Sequence, residues 1–143
     1  MSARNIHASA VLLRGHGVVI LGPSGSGKTR LALRLAAEAG GLLVADDQLL
    51  LRSAEDALWA DAPPAIAGLV EVRGFGPVSV PFAPSCPVSL AVRLVEPETA
   101  PRMREEGAVE MLDGHVVPRL DLARHDAEGA VLAVKAWLFG TPF

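Results

Sequence analysis

Apolar residues recur at two different spacings along this chain, and the change from one to the other marks its elements. Ile6 to Leu13 and Val18 to Leu21 are short apolar runs that read as strands, with Arg14-Gly15-His16-Gly17 as the turn between them. The pair predicts a hairpin leading into a glycine-rich loop. From Thr29 to Ala39 the spacing becomes helical: Leu31, Leu33 and Leu35 with Ala32 and Ala36 form an apolar face, and Gly40-Gly41 stops it. Leu42 to Ala45 is a short buried strand ending at Asp46-Asp47. Gln48 to Leu51 continues extended, and Ser53 to Ala57 is a polar turn. Ala62-Pro63-Pro64 breaks the chain before Ala65 to Leu69, and Val70-Glu71-Val72 then runs into Arg73-Gly74-Phe75-Gly76-Pro77. Val78 to Val95 alternates short β-like runs with Pro81, Pro84 and Pro87, and Pro97 to Gly107 is polar. Glu110 to Pro118 predicts a hairpin around Asp113-Gly114. Ala127 to Phe139 predicts a closing helix with Leu132, Ala136 and Phe139 on one side.

The order strand, loop, helix, strand places the fold in the α/β class. The β-rich later half argues against a purely doubly wound sheet. A chain of 143 residues suits one domain, residues 1–143, and 50% hydrophobic residues can build a core without disulfides or a structural metal. Cys86 is the single cysteine, which excludes an intrachain disulfide and fits a reducing compartment. The net charge is −3, and the 13 basic residues are scattered, so no basic stripe points to nucleic acid and no cationic amphipathic segment to a membrane surface. The start of the sequence lacks the apolar run of a signal peptide, and no apolar stretch is long enough for a bilayer, so a soluble cytoplasmic protein is expected. Trp59 and Trp137 are expected as core anchors, and Cys86 as buried.

The sharpest chemistry lies in Gly22-Pro23-Ser24-Gly25-Ser26-Gly27-Lys28-Thr29. This is a complete phosphate-binding loop, and its context fits: a strand precedes it and a helix follows. Glycines at 22, 25 and 27 let the backbone turn tightly and bring N–H groups to a phosphate. The start of the helix adds its positive end. Lys28 supplies a charge for the β- and γ-phosphate oxygens, and Thr29 a hydroxyl for Mg²⁺. A glycine turn that binds nothing needs no Lys-Thr at the helix entrance. The expected ligands are therefore ATP and Mg²⁺.

Phosphate transfer also needs a second metal ligand and a group that activates the nucleophile. Asp46 and Asp47 follow an apolar strand at the edge where such sheets place their ligands. Neighbouring strand residues point to opposite sides, so one acid is expected to face the phosphate and the other the core or a neighbour. The alternative is an acid that merely caps a turn. Glu71 stands between two valines, where metal coordination or pairing with Arg73 would offset its burial, or it lies on a surface strand. His7 sits among small and apolar residues and is either structural or part of the site. His16 is expected in solvent, and His115 and His125 lack metal-ligand spacing.

Taken together, these residues resemble the catalytic domain of HPr kinase/phosphorylase, a bacterial enzyme that phosphorylates a serine of the phosphocarrier protein HPr. The resemblance rests on a histidine in a strand before the loop (His7), the Ser24 to Lys28 core, Ala45-Asp46-Asp47 at a strand end, and Glu71-Val72-Arg73-Gly74-Phe75-Gly76. It is strong over residues 6 to 80 and looser beyond. It implies an α/β P-loop fold of the HPr kinase and phosphoenolpyruvate carboxykinase-like type, a mixed β-sheet with flanking helices, commonly assembled as hexamers. It further implies that Lys28 contacts phosphates and that Thr29 and Glu71 help hold Mg²⁺. One acid, Asp47 rather than Asp46, takes the serine proton with His7 beside it. Arg102, or alternatively Arg104, assists from a later loop. Set against the family pattern, the sequence begins almost at the catalytic domain, and the usual N-terminal domain is expected to be missing. Pro118-Arg119-Leu120-Asp121 stands where an Arg-Pro-Gly-Arg-like motif accompanies the reverse reaction, which puts dephosphorylation in doubt. A small-molecule kinase or a non-catalytic nucleotide-binding module remain as alternatives. The first would need a lid that this short chain does not offer, and the acids and Glu71 argue against the second.

Overall fold

In the computed structural model, which describes residues 3–38 and 40–143, the apolar run expected as one strand is two. β1 (Arg4–Ile6) and β2 (Ser9–Leu13) are separated at His7 and Ala8. The chain changes partners there: β1 pairs antiparallel with β5 (Leu49–Ala54), whereas β2 pairs antiparallel with β3 (His16–Leu21) and with β4 (Gly41–Ala45). The expected β2–β3 hairpin is present, closed by Arg14 and Gly15, both left-handed at φ 48° and 83°. Two left-handed central residues give the turn whose twist matches that of the flanking strands.

The centre of the sheet is β9 (Ser85–Val95), a single strand where short proline-broken runs were expected. Pro87 is tolerated because it stands at the end of both ladders that reach it. Its pairing with Trp59 is the last with β6 (Ala57–Asp61), and pairing with β3 begins one residue later, at Gly17 and Val88. Gly17 is required there, since a Cβ added to it would lie 2.1 Å from the Pro87 carbonyl oxygen. β9 runs parallel to β3 and to β11 (His115–Ala123). β4 runs antiparallel to β2, itself antiparallel to β3, so β3, β4, β9 and β11 all point their C-terminal ends to one edge. In open α/β sheets that edge is where ligands bind. β10 (Val109–Leu112) pairs with β11 across Asp113-Gly114, as expected. Among the described residues the sheet has nine strands, and β7 (Leu69–Val72) and β8 (Gly76–Ser79) form a separate hairpin. The turn expected over Ser53 to Ala57 is narrower: only Glu55 and Asp56 leave the β5–β6 hairpin.

Both faces of the sheet are covered, which is why its central strands read as continuous apolar runs. Val18 and Ile20 face one side, with Leu31 and Leu35 of α1 (Lys28–Ala36) and Val131 and Val134 of α2 (Ala127–Phe139). Val19 and Leu21 face the other, with Val44, Leu49 and Leu51. α1 ends at Ala36, short of Ala39, which lies outside the described residues.

α2 spans the expected residues, capped by the Asp126 side chain on the Gly129 N–H and by left-handed Gly140. Its buried side, however, is Ala130, Val131 and Val134, while Leu132 is 50% exposed and Ala136 also faces out. The helix is apolar nearly all round, so spacing alone did not select the inward face. Trp137 is 38% exposed and Trp59 half-buried, so neither is a core anchor. No described helix is long and apolar enough to cross a membrane.

Candidate active site

The P-loop joins the end of β3 to the start of α1 at the sheet's C-terminal edge. Gly25 and Gly27 are left-handed at φ 80° and 98°, a region that side chains disfavour. Gly27 heads α1 without any side-chain cap, which leaves the first helical N–H groups free for an anion. Lys28 is buried and folds back over its own loop, its Nζ donating to the carbonyls of Gly22 at 2.8 Å and Pro23 at 3.0 Å. Ser26 is fully buried, with an Oγ lacking a partner among the described residues. A Cβ on Gly22 would lie 2.7 Å from that oxygen, so the loop closes only with glycine at its entrance. The loop thus presents N–H groups, one ammonium group and a hydroxyl at a helix start, the donor set a polyphosphate requires.

The two acids of β4 part company. Strand β4 ends at Ala45, opposite Ala10 of β2, which brings Asp46 beside Ser9. One Asp46 oxygen accepts from Thr29 Oγ1 at 2.8 Å and from Ser9 Oγ at 2.9 Å. Asp47 is left-handed, at φ 71°, which turns it out of the strand. Its backbone N–H donates to Ser9 Oγ at 3.2 Å, and its carboxylate meets His7 Nε2 at 2.6 Å. Asp46 therefore faces the loop's threonine, and Asp47 faces a histidine held at the point where the chain leaves β1 for β2.

A cleft of about 700 Å³ opens over these groups. Gly25, Gly27, Lys28 and Thr29 line it together with Asp46, Asp47, Glu71 and Arg73. Glu71 reaches it from β7. Val70 is buried against the helices, and Glu71, on the opposite side of the strand, is exposed, so no burial cost arises. No Glu71–Arg73 ion pair occurs among the described residues. The carboxylates of Asp46 and Glu71 and the hydroxyl of Thr29 are hard oxygen donors, which suit Mg²⁺ completed by phosphate and water.

The remaining loop residues, Gly22, Pro23, Ser24 and Ser26, shape the loop but do not line the cleft. Arg102 and Arg104 also lie outside it, in the exposed segment before β10. His115 bonds Ser53 at 2.7 Å, and His16, half-buried rather than fully in solvent, packs edge-on to Phe139. Pro118 to Asp121 lies inside β11, where Arg119 pairs with Asp121 and Glu110. Cys86 is buried far from this chemistry, and burial pushes its thiol up to about 12.

Two residues at the site, Ser9 beneath the acid pair and His125 in the cleft lining, carried no usable signal in the sequence. Ser9 is a fully buried hydroxyl in an apolar strand, and His125 precedes α2 almost a hundred residues after the loop it faces.

The family model of the HPr Serine kinase C-terminal domain matches residues 1–110. The chain belongs to this family. HPr kinase/phosphorylase 1 of Oceanobacillus iheyensis is 45% identical over 76 residues, covering 52% of this chain and 24% of the relative. HPr kinase/phosphorylase of Limosilactobacillus reuteri is 32% identical over 130 residues, covering 83% of this chain and 40% of the relative. The chain therefore spans between a quarter and two fifths of these curated relatives. The solved HPr(Ser) kinase/phosphatase of Coxiella burnetii superimposes with a TM-score of 0.82 over 96% of this chain and 89% of that one, at 24% identity. That match supports the mixed α/β fold with a curled sheet and flanking helices.

Proposed function

We propose that residues 1–143 act as one ATP- and Mg²⁺-dependent catalytic domain that phosphorylates a serine of HPr or an HPr-like carrier. The observation that carries this reading is the division of labour within the acid pair: Asp46 is tied to the P-loop threonine, while Asp47 is tied to His7. One acid is thus positioned toward the phosphate loop, and the other is left for a proton. The names of the relatives favour HPr as the acceptor over a small molecule.

Bound Mg·ATP would supply the transferable phosphoryl group and the metal charge that offsets its oxygens. The loop N–H groups and Lys28 hold the phosphates, with Lys28 exchanging its two carbonyl partners for phosphate oxygens. Thr29, Asp46 and Glu71 would hold the metal directly or through water. Asp47 would accept the proton of the serine hydroxyl as the serine oxygen bonds to the γ-phosphorus and the bond from that phosphorus to the ADP oxygen breaks, releasing ADP, and His7 would orient the carboxylate. Arg102, on an exposed segment, serves the acceptor side once a partner docks. Homo-oligomer formation belongs to the same reading.

Incubation with ATP, Mg²⁺ and the host's HPr, followed by mass spectrometry, tests it. One phosphate on a serine is expected, and Lys28→Ala should abolish it. A wild-type protein that hydrolyses or binds ATP but labels no serine would refute the acceptor. A protein that binds no ATP would refute the site.

A further inference from the structure

The P-loop has two flanks, and only one is occupied by the acids. β4 and β2 carry Asp46, Asp47 and Ser9 on one side of β3, whereas β9 and β11 lie on the other. The cleft runs from Thr29 and Asp46 to the β9–β11 flank, which gives a triphosphate with its terminal phosphate by Thr29 room to extend that way. There the small or apolar side chains of Leu94, Ala123, Ala127 and Ala130 line the cleft beside Asp126, and Arg30 and Arg34 of α1 also line it, so that a slot with an apolar floor carries charged groups at its edges. His125, exposed, lines the same cleft. A Cβ added to Gly27 would lie 3.6 Å from the His125 backbone nitrogen and 3.9 Å from its Nδ1, so the imidazole borders the P-loop backbone directly.

The conformation of His125 is also unusual. It is left-handed, at φ 64°, although it has a side chain. Its loop is held on both sides. The Arg124 N–H donates to the Val95 carbonyl at 2.9 Å, and the Asp126 carboxylate caps α2 on Gly129 at 3.0 Å. A non-glycine residue in this region costs free energy and persists where surrounding contacts enforce it, often at ligand sites. Here the enforced result is an exposed aromatic ring beside the phosphate loop.

We propose that His125 stacks on the base of the bound nucleotide, and that the slot formed by Leu94, Ala123, Ala127 and Ala130 receives the nucleoside. The inference rests on the phosphate site proposed above. It adds a specificity element that inorganic polyphosphate cannot use, and so it can be separated from that site.

The test is calorimetric binding of Mg·ATP and of Mg·tripolyphosphate to the full chain and to His125→Asn. Asparagine tolerates the left-handed backbone and removes the ring. Loss of one base–aromatic stack should weaken ATP roughly 5- to 150-fold. Tripolyphosphate affinity should stay unchanged, which also reports an intact fold. The proposal is overturned if His125→Asn binds ATP like the wild type, or if both ligands weaken equally. If the wild type binds neither ligand, the phosphate site itself fails, and the nucleoside slot falls with it. Binding of tripolyphosphate but not ATP by the wild type would overturn the slot alone.

Discussion

Asp46 and Asp47 are identical in chemistry and adjacent in sequence, yet their surroundings differ, and the proposed mechanism gives them different tasks. Asp46 accepts two hydroxyl hydrogen bonds, whereas Asp47 is left-handed, solvent-facing and paired with His7. A positioned general base contributes about 10²–10⁴-fold, so Asp47→Asn should lose at least 100-fold in kcat while ATP still binds. Asp46→Asn should instead raise the Mg²⁺ requirement. A metal titration of both variants tells the roles apart, and the reverse pattern would exchange them. Ser9 joins the two acids, donating to Asp46 and accepting from the Asp47 N–H. Ser9→Ala leaves a peptide N–H without that partner and should cost about 1–3 kcal/mol of stability. As a positioning residue it should also lower kcat with little change in the KM for ATP, and Ser9→Thr should restore part of the rate. An unfolding shift with unchanged kcat would make Ser9 purely structural. The P-loop and the acid pair were legible in the sequence because their chemistry is local. Ser9 was not, because a serine in a strand reads the same whether it spaces the chain or bridges a carboxylate and a peptide N–H.

At the scale of elements, the hairpins were legible where the turn chemistry was explicit, as at Asp113-Gly114 and Arg14-Gly15. The break at His7 was not, because Ile6 to Leu13 satisfies strand preferences throughout and only tertiary pairing tells β1 from β2. That break has a consequence for the site: it frees His7 from a ladder and lets its ring reach Asp47. The β7–β8 hairpin plays the matching part for Glu71. Val70 anchors it to the helices, and its other side carries Glu71 to the cleft. Glu71→Gln keeps the shape and removes the charge. The half-saturating Mg²⁺ concentration should then rise about tenfold or more, an effect equivalent to at least ~1.4 kcal/mol. Superimposable metal titrations would assign Glu71 to the hairpin alone.

At the scale of the molecule, the core and the surface make separate predictions. Cys86 is buried and its thiol is raised to about 12 from an ordinary 9.0, chiefly by desolvation and secondarily by the nearby Asp61 charge. The folded thiol therefore stays neutral while an unfolded one ionises above pH 9. The sign follows: its contribution to stability is whole below pH 9 and is lost as pH rises toward 12. Thiol reagents at pH 8 should leave Cys86 unlabelled until the chain unfolds. On the surface, alternation puts Leu112 and Val117 inward and leaves Val109, Met111 and Val116 on the outer side of the β10–β11 hairpin, at 45%, 63% and 62% exposure. Trp137 of α2 borders the same depression as Val109 and Val116. The outward turn of α2 that the sequence pattern missed thus extends an apolar surface, which in a small chain marks a contact face. The proposed homo-oligomer should form through it. Sedimentation at low micromolar concentration should give a multimer for the wild type and a smaller species for Met111→Glu and Val116→Glu. Both positions are exposed, so unfolding midpoints of the variants measured at low concentration should match that of the dissociated wild type. A monomeric wild type would refute the oligomer, and variants that assemble normally would move the interface to another face.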